Sequence, residues 1–180
     1  MFKFNITLDD NDYFEYNKYY ILNSPTGRRA LLYYRLIMPM ISLLIIYIFW
    51  IARADFGLII AEIIGLAIVS VLWIIFTKTI YLKWLRKYIE KVKKSGKLSY
   101  SKENTLIFDD ESFIEIASEN ESKIKYSMIE RIVETEKYVY VFIGSTQALI
   151  IPLTAFSDDS ERTQFLEFIE TKIKERTQTP

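Results

Sequence analysis

The chain has 180 residues, 51% of them hydrophobic, with 23 basic and 23 acidic side chains and neither cysteine nor histidine. That composition excludes a Cys/His zinc site, a thiol nucleophile, a thiol redox switch and a Ser-His-Asp triad. The formal charge sums to zero, yet it is spread unevenly along the chain.

Residues 2–8 alternate: Phe2, Phe4, Ile6 and Leu8 share one face and Lys3, Asn5 and Thr7 the other, the period of a half-buried strand. Asp9, Asp10, Asn11 and Asp12 break it and suit a helix start. The aromatic-rich stretch 13–22 predicts a short helix, at a membrane surface or against a soluble domain. Asn23-Ser24-Pro25-Thr26-Gly27 reads as a turn.

Two apolar arms follow, residues 36–52 and 56–77, and Glu62 is the one charge in the second. Each is close to the roughly 20 residues a helix needs to cross a bilayer core. A helix satisfies its own backbone in lipid, so two antiparallel helices are expected. A buried hairpin of a soluble protein would show a polar stripe, and neither arm has one. A cleaved signal peptide is not expected, because a polar and aromatic stretch precedes the first arm. Arg28, Arg29 and Arg35 come before the arms, and Lys78, Lys83, Arg86, Lys87, Lys91, Lys93, Lys94 and Lys97 come after; the connector holds only Arg53, offset by Asp55. The positive-inside rule then places both termini in the cytoplasm of a two-helix, multi-pass protein of the cell membrane. Tyr47, Trp50, Trp73, Tyr81 and Trp84 fall near the expected interfaces.

In the second arm Gly57, Ala61 and Gly65 recur every four residues. Such a face permits close helix approach, either to the first arm or in a homodimer. Glu62 borders it at about the depth of Tyr47, which motivates a Glu62–Tyr47 hydrogen bond; the plainer reading is a carboxyl close to the outer surface. Residues 78–96 continue as a basic amphipathic helix, with Tyr81, Trp84, Leu85, Tyr88, Ile89 and Val92 in a stripe. Lys83, Trp84, Arg86, Lys87, Lys91 and Lys94 are its lipid- or partner-contact residues. An anionic inner leaflet would attract each base. Nucleic acid is not expected at a helix tethered to a bilayer.

Beyond Ser95-Gly96, short strands are expected over 105–108, 113–118, 123–126, 131–134, 138–143 and 148–151, with a brief helical turn over 127–131. Pro152 ends the last strand, and Asp158 with Glu161 resembles a capping box. Phe165, Phe168, Ile169 and Ile173 make one face of a final helix. A meander closed by one C-terminal helix is the pleckstrin-homology-like (PH-like) arrangement, and strand 2–8 could join its sheet. The expected fold is therefore α+β: a transmembrane helical hairpin plus a cytosolic PH-like antiparallel sheet or barrel capped by a helix. Its segments are 1–30, 31–77, 78–96 and 97–180.

The chain also resembles the YcxB-like family of bacterial membrane proteins. The residues that carry this are Phe4, Ile6 and Thr7 followed by Asp12-Tyr13-Phe14, then the hairpin, then Leu106-Ile107-Phe108-Asp109-Asp110. Further on come Tyr126 with Ile129 and Ile132, Tyr138-Val139-Tyr140-Val141-Phe142, and Ile150-Ile151-Pro152 with Ala155-Phe156. Tyr126 stands where such domains often have Trp. The resemblance implies a two-helix anchor with a cytosolic PH-like domain, and it implies no activity and no catalytic residues.

No catalytic constellation emerges from the sequence. Asp109, Asp110, Glu111, Asp158 and Asp159 read as turns and caps, and Ser95-Gly96-Lys97-Leu98 lacks what a phosphate-binding loop requires. The expectation is a non-enzymatic membrane protein without cofactor or metal, whose PH-like domain binds a protein partner or the inner leaflet. The alternative is self-protection against a membrane-active peptide or toxin.

Overall fold

A computed structural model of the protein describes residues 1–52, 55–95, 102–117, 120–144 and 146–178. Arg53, Gly96, Lys97, Glu119 and Ser145, which the sequence places in connectors and turns, lie outside the described residues. The elements run β1 (Phe2–Thr7), α1 (Asp10–Asn23), α2 (Pro25–Ile51), α3 (Phe56–Lys94), β2 (Glu103–Phe108), β3 (Ser112–Ala117) and β4 (Glu121–Lys125). Then come β5 (Ile129–Glu134), β6 (Tyr138–Ile143), β7 (Gln147–Pro152) and α4 (Asp159–Gln178). The chain forms two compact units, one from residues 1–16 with 95–180 and the other from residues 17–94.

In the first unit, β1 to β4 form an antiparallel sheet in sequence order, and β5 to β7 form a second. Strand β1 pairs with β2 in the register Phe2↔Phe108, Phe4↔Leu106, Ile6↔Asn104, so the strand that precedes both long helices is completed by the one that follows them. The alternation read over 2–8 is realised: Phe4 and Ile6 are buried while Lys3, Asn5 and Thr7 are exposed. Helix α4 seats Phe165 on that inner face. Its ring meets Phe2 (5.4 Å), Phe4 (5.1 Å) and Phe108 (4.8 Å) edge-on, a geometry that aromatic quadrupoles favour. The start of α4 is fixed as its sequence suggests, with the Glu161 amide donating to Asp158 Oδ1 and the Ser157 amide to Glu161 Oε2, both at 2.7 Å. Several strand ends differ from expectation: β2 starts at Glu103, β4 at Glu121 and β5 at Ile129, each two residues early. Tyr126 leaves β4 and opens a 3-10 turn, Tyr126–Met128, where its hydroxyl donates to the Asp109 carbonyl.

Strand β6 is buried on both faces from Tyr138 to Phe142. Val139 and Val141 fill one side. On the other, Tyr16 of α1 covers Tyr140 (5.5 Å) and Phe142 (6.3 Å) and donates its hydroxyl to the Thr146 carbonyl at 2.8 Å. The first turn of α1 is locked by a reciprocal cap: the Asp12 amide donates to Asp9 Oδ1 and the Asp9 amide to Asp12 Oδ2, each at 2.8 Å. The second Asp12 oxygen accepts from the Tyr138 hydroxyl at 2.7 Å. One carboxylate thus closes the helix cap and pins the helix to the sheet. Burial, then the Asp12 contact, holds the Tyr138 phenol far above the ordinary tyrosine range, so it stays a donor.

In the second unit, the turn expected over 23–27 is shorter than read. Ser24 caps α2, accepting from the Gly27 amide at 2.9 Å, and Pro25 already stands in the first turn, where its missing N–H is no loss. Gly27 lies against α1: a Cβ there would sit 2.5 Å from Ile21 Cα and 2.7 Å from the Tyr20 carbonyl oxygen. Asp55 accepts from the Gly57 amide at 2.8 Å and caps α3. Helix α3 runs unbroken through 39 residues, about 58 Å at 1.5 Å per residue.

Gly27→Ala is expected to destabilise the protein by about 1–3 kcal/mol, because backbone must move to admit the methyl. Gly65→Ala, where a Cβ meets nothing within 4 Å, should leave stability unchanged or raised by up to about 1 kcal/mol. Thermal unfolding in detergent compares the two, and equal midpoints would contradict the tight α1–α2 corner.

Candidate functional site

Helices α2 and α3 pack on each other, and the buried and half-buried positions define the seam. On α3 these are Ile59, Glu62, Leu66, Ser70, Trp73 and Thr77, at three- and four-residue spacing. Ser42 and Ser70 share a hydrogen bond at 3.0 Å midway, and Trp73 Nε1 donates to the Tyr34 carbonyl at 3.1 Å. Ser42 and Ser70 were the signal that sequence reading passed over, and Trp73, read there only as an interfacial ring, packs in the seam. Ser42 and Ser70 are polar groups in apolar arms, and in lipid a polar side chain seeks a partner on the neighbouring helix.

That seam corrects the assignment of the small-residue face. Gly57, Ala61 and Gly65 are all exposed, so this face does not pack against α2. The serine pair and the Trp73–Tyr34 contact fix the rotation of α3 and turn the glycines to the opposite side. Glu62 lies on the seam instead. Its Oε2 is buried without a hydrogen-bond partner, and no hydrogen bond joins it to Tyr47 among the described residues. Tyr47 is 55% exposed and lies 6.5 Å from the Trp50 ring.

The stripe expected on the C-terminal half of α3 divides in two. Leu85 and Ile89 are buried, whereas Trp84 is 56% and Tyr88 52% exposed. Their rings stack at 5.6 Å with an interplanar angle of 16°, an i,i+4 pair on one helix face. Helical geometry sets Lys83, Lys87, Lys91 and Lys94 beside that pair, and all four are exposed. Arg86 is exposed on the far side of the same helix.

A second polar feature lies on the inner face of the β1–β4 sheet. Register places Glu115 opposite Leu106 and Asn104 opposite Ala117. The Asn104 amide donates to Glu115 Oε1 at 3.2 Å, while Asn104 Oδ1 is buried without a partner. Burial raises the Glu115 carboxyl above its ordinary range. Among the described residues no three Asp or Glu side chains gather into a group able to hold a metal ion.

The molecule is thus an α+β protein with two helices long and apolar enough to cross a membrane, whose most apolar stretches are 6% and 0% buried, followed by antiparallel sheets and a C-terminal helix. The family model described as YcxB-like protein matches residues 108–169, a stretch that begins at the end of β2 and reaches into α4, and over it the family resemblance read from the sequence is shown. No curated protein and no solved structure matches the chain.

Two predictions follow from these sites. Ser42→Ala and Ser70→Ala should couple by about 0.6 kcal/mol in a double-mutant cycle on the hairpin, and additive effects would refute the bond. Since the native state keeps a proton on Glu115 that the unfolded chain has released just above the ordinary pKa of 4.5, stability should fall as pH rises through that window. Glu115→Gln should remove this fall and unfold at a higher temperature than the parent at neutral pH, read by melts across the pH range.

Proposed function

We propose that the protein is a non-enzymatic membrane protein in which the α2–α3 hairpin anchors a PH-like unit on the cytoplasmic side, where it binds a protein partner. The observation that carries this is the pairing of β1 with β2. A sheet whose neighbouring strands lie on either side of two membrane spans can form only if both ends of the hairpin emerge on one side. The four-plus-three strand arrangement with a closing helix supports the PH-like reading, and the excess of Lys and Arg outside the connector supports the cytoplasmic side.

Axial distance favours a protein over the leaflet. The apolar run of α3 ends at Lys78, and Lys83, Lys87, Lys91 and Lys94 stand about 8, 14, 20 and 24 Å further along a continuous helix. A headgroup layer is about 5–7 Å deep, and attraction to anionic lipid fades within a Debye length of about 8 Å. Lys83 and Trp84 reach the headgroups; Lys91 and Lys94 stand clear of them. The self-protection alternative draws its support from the exposed Gly57–Ala61–Gly65 face, open to a helical peptide within the bilayer.

The chain has no cysteine, so single-cysteine variants test the topology cleanly. With Asp55→Cys, Asn11→Cys and Glu136→Cys, an impermeant maleimide added to intact cells should label only position 55. Labelling at 11 or 136 would overturn the arrangement.

A further inference from the structure

Charge divides along the boundary between the two units. Residues 17–94 hold twelve Lys and Arg against three Asp and Glu, and the rest of the chain holds eleven against twenty, so the units carry +9 and −9. The basic excess has a built face. Lys83, Lys87, Lys91 and Lys94 line one side of α3 around the exposed Trp84–Tyr88 stack, and none of the four has an ion-pair partner among the described residues. An exposed apolar pair flanked by charge of one sign marks an interaction surface, and Trp and Tyr are among the residues that most often anchor one. The acidic excess has an exposed run of its own: Asp109, Asp110 and Glu111 stand at the β2–β3 turn.

We propose that this face of α3 docks the acidic β-sheet unit of a second copy of the chain. The inference rests on the membrane-anchored reading. Copies in one membrane then present this part of α3 and the sheet unit on the same side, within lateral reach of each other. The opposite net charges make the surfaces complementary, and like-charged faces are kept apart, which selects the pairing of α3 with the sheet unit. An anionic leaflet is a poor occupant, because it would repel the −9 unit attached to the same chain.

The test uses the full chain in neutral phosphatidylcholine vesicles, with donor and acceptor dyes on an introduced Asn120→Cys. Energy transfer should report association at low salt that weakens at least tenfold at high salt. Replacing Lys83, Lys87, Lys91 and Lys94 together by Gln should weaken it at least tenfold, and replacing them by Arg should preserve it. Lack of transfer at low salt, transfer indifferent to the Gln variant, or transfer that needs anionic lipid would overturn the proposal. Extraction by alkaline wash is scored on the same vesicles: a chain that washes off refutes the membrane reading itself, whereas an inserted chain that does not associate refutes only the docking.

Discussion

The pairing of Phe4 with Leu106 is the constraint on which the rest of the molecule depends. It joins two segments separated by the whole of α1, α2 and α3. Everything between them must leave the sheet and return to it, and on the membrane-anchored reading proposed above this limits the intervening chain to an even number of crossings. The edge position of β1 also explains its composition, since one buried face and one solvated face require alternation rather than the continuous apolar run seen in β6.

Both units solve the same difficulty, that of placing polar groups where water is scarce. In the sheet unit buried tyrosine hydroxyls find partners, as in Tyr16 to the Thr146 carbonyl and Tyr138 to Asp12. In the helical unit Ser42 and Ser70 answer each other. The departures are Arg35 Nε and Glu62 Oε2 in the helices and Asn104 Oδ1 in the sheet, where an amide oxygen without a partner lies beside the Glu115 carboxyl, whose ionised form is disfavoured. A protonated Glu115 could donate where an ionised one cannot, so this corner of the sheet is arranged for the neutral acid.

The elements were legible in the sequence wherever a period is clean: the alternation of β1, the apolar arms, the Asp158–Glu161 cap and the Phe165–Ile169 face. Orientation about an axis was not. Gly57, Ala61 and Gly65 announce a smooth helix face, but spacing alone does not say which neighbour uses it. The rotation of α3 was set by Ser70 and Trp73, whose partners lie on another helix. The docking of α1 was implicit in the unbroken Tyr138–Phe142 run, because a strand apolar on both faces must be covered on both. The division of the α3 stripe into buried Leu85 and Ile89 and exposed Trp84 and Tyr88 needed tertiary contacts that helical periodicity cannot supply.

The separation of β1 from β2 has a consequence in time. Phe4 leaves the ribosome about a hundred residues ahead of Leu106, a delay of roughly 5–20 s at ordinary rates of synthesis. Throughout that interval the strand holds an apolar face and two unpaired edges in the open, while the long helices behind it are still being made. The sheet can close only once the hairpin has turned back. Hairpin formation is therefore a checkpoint: a chain that fails to make the turn keeps its first strand without its neighbour.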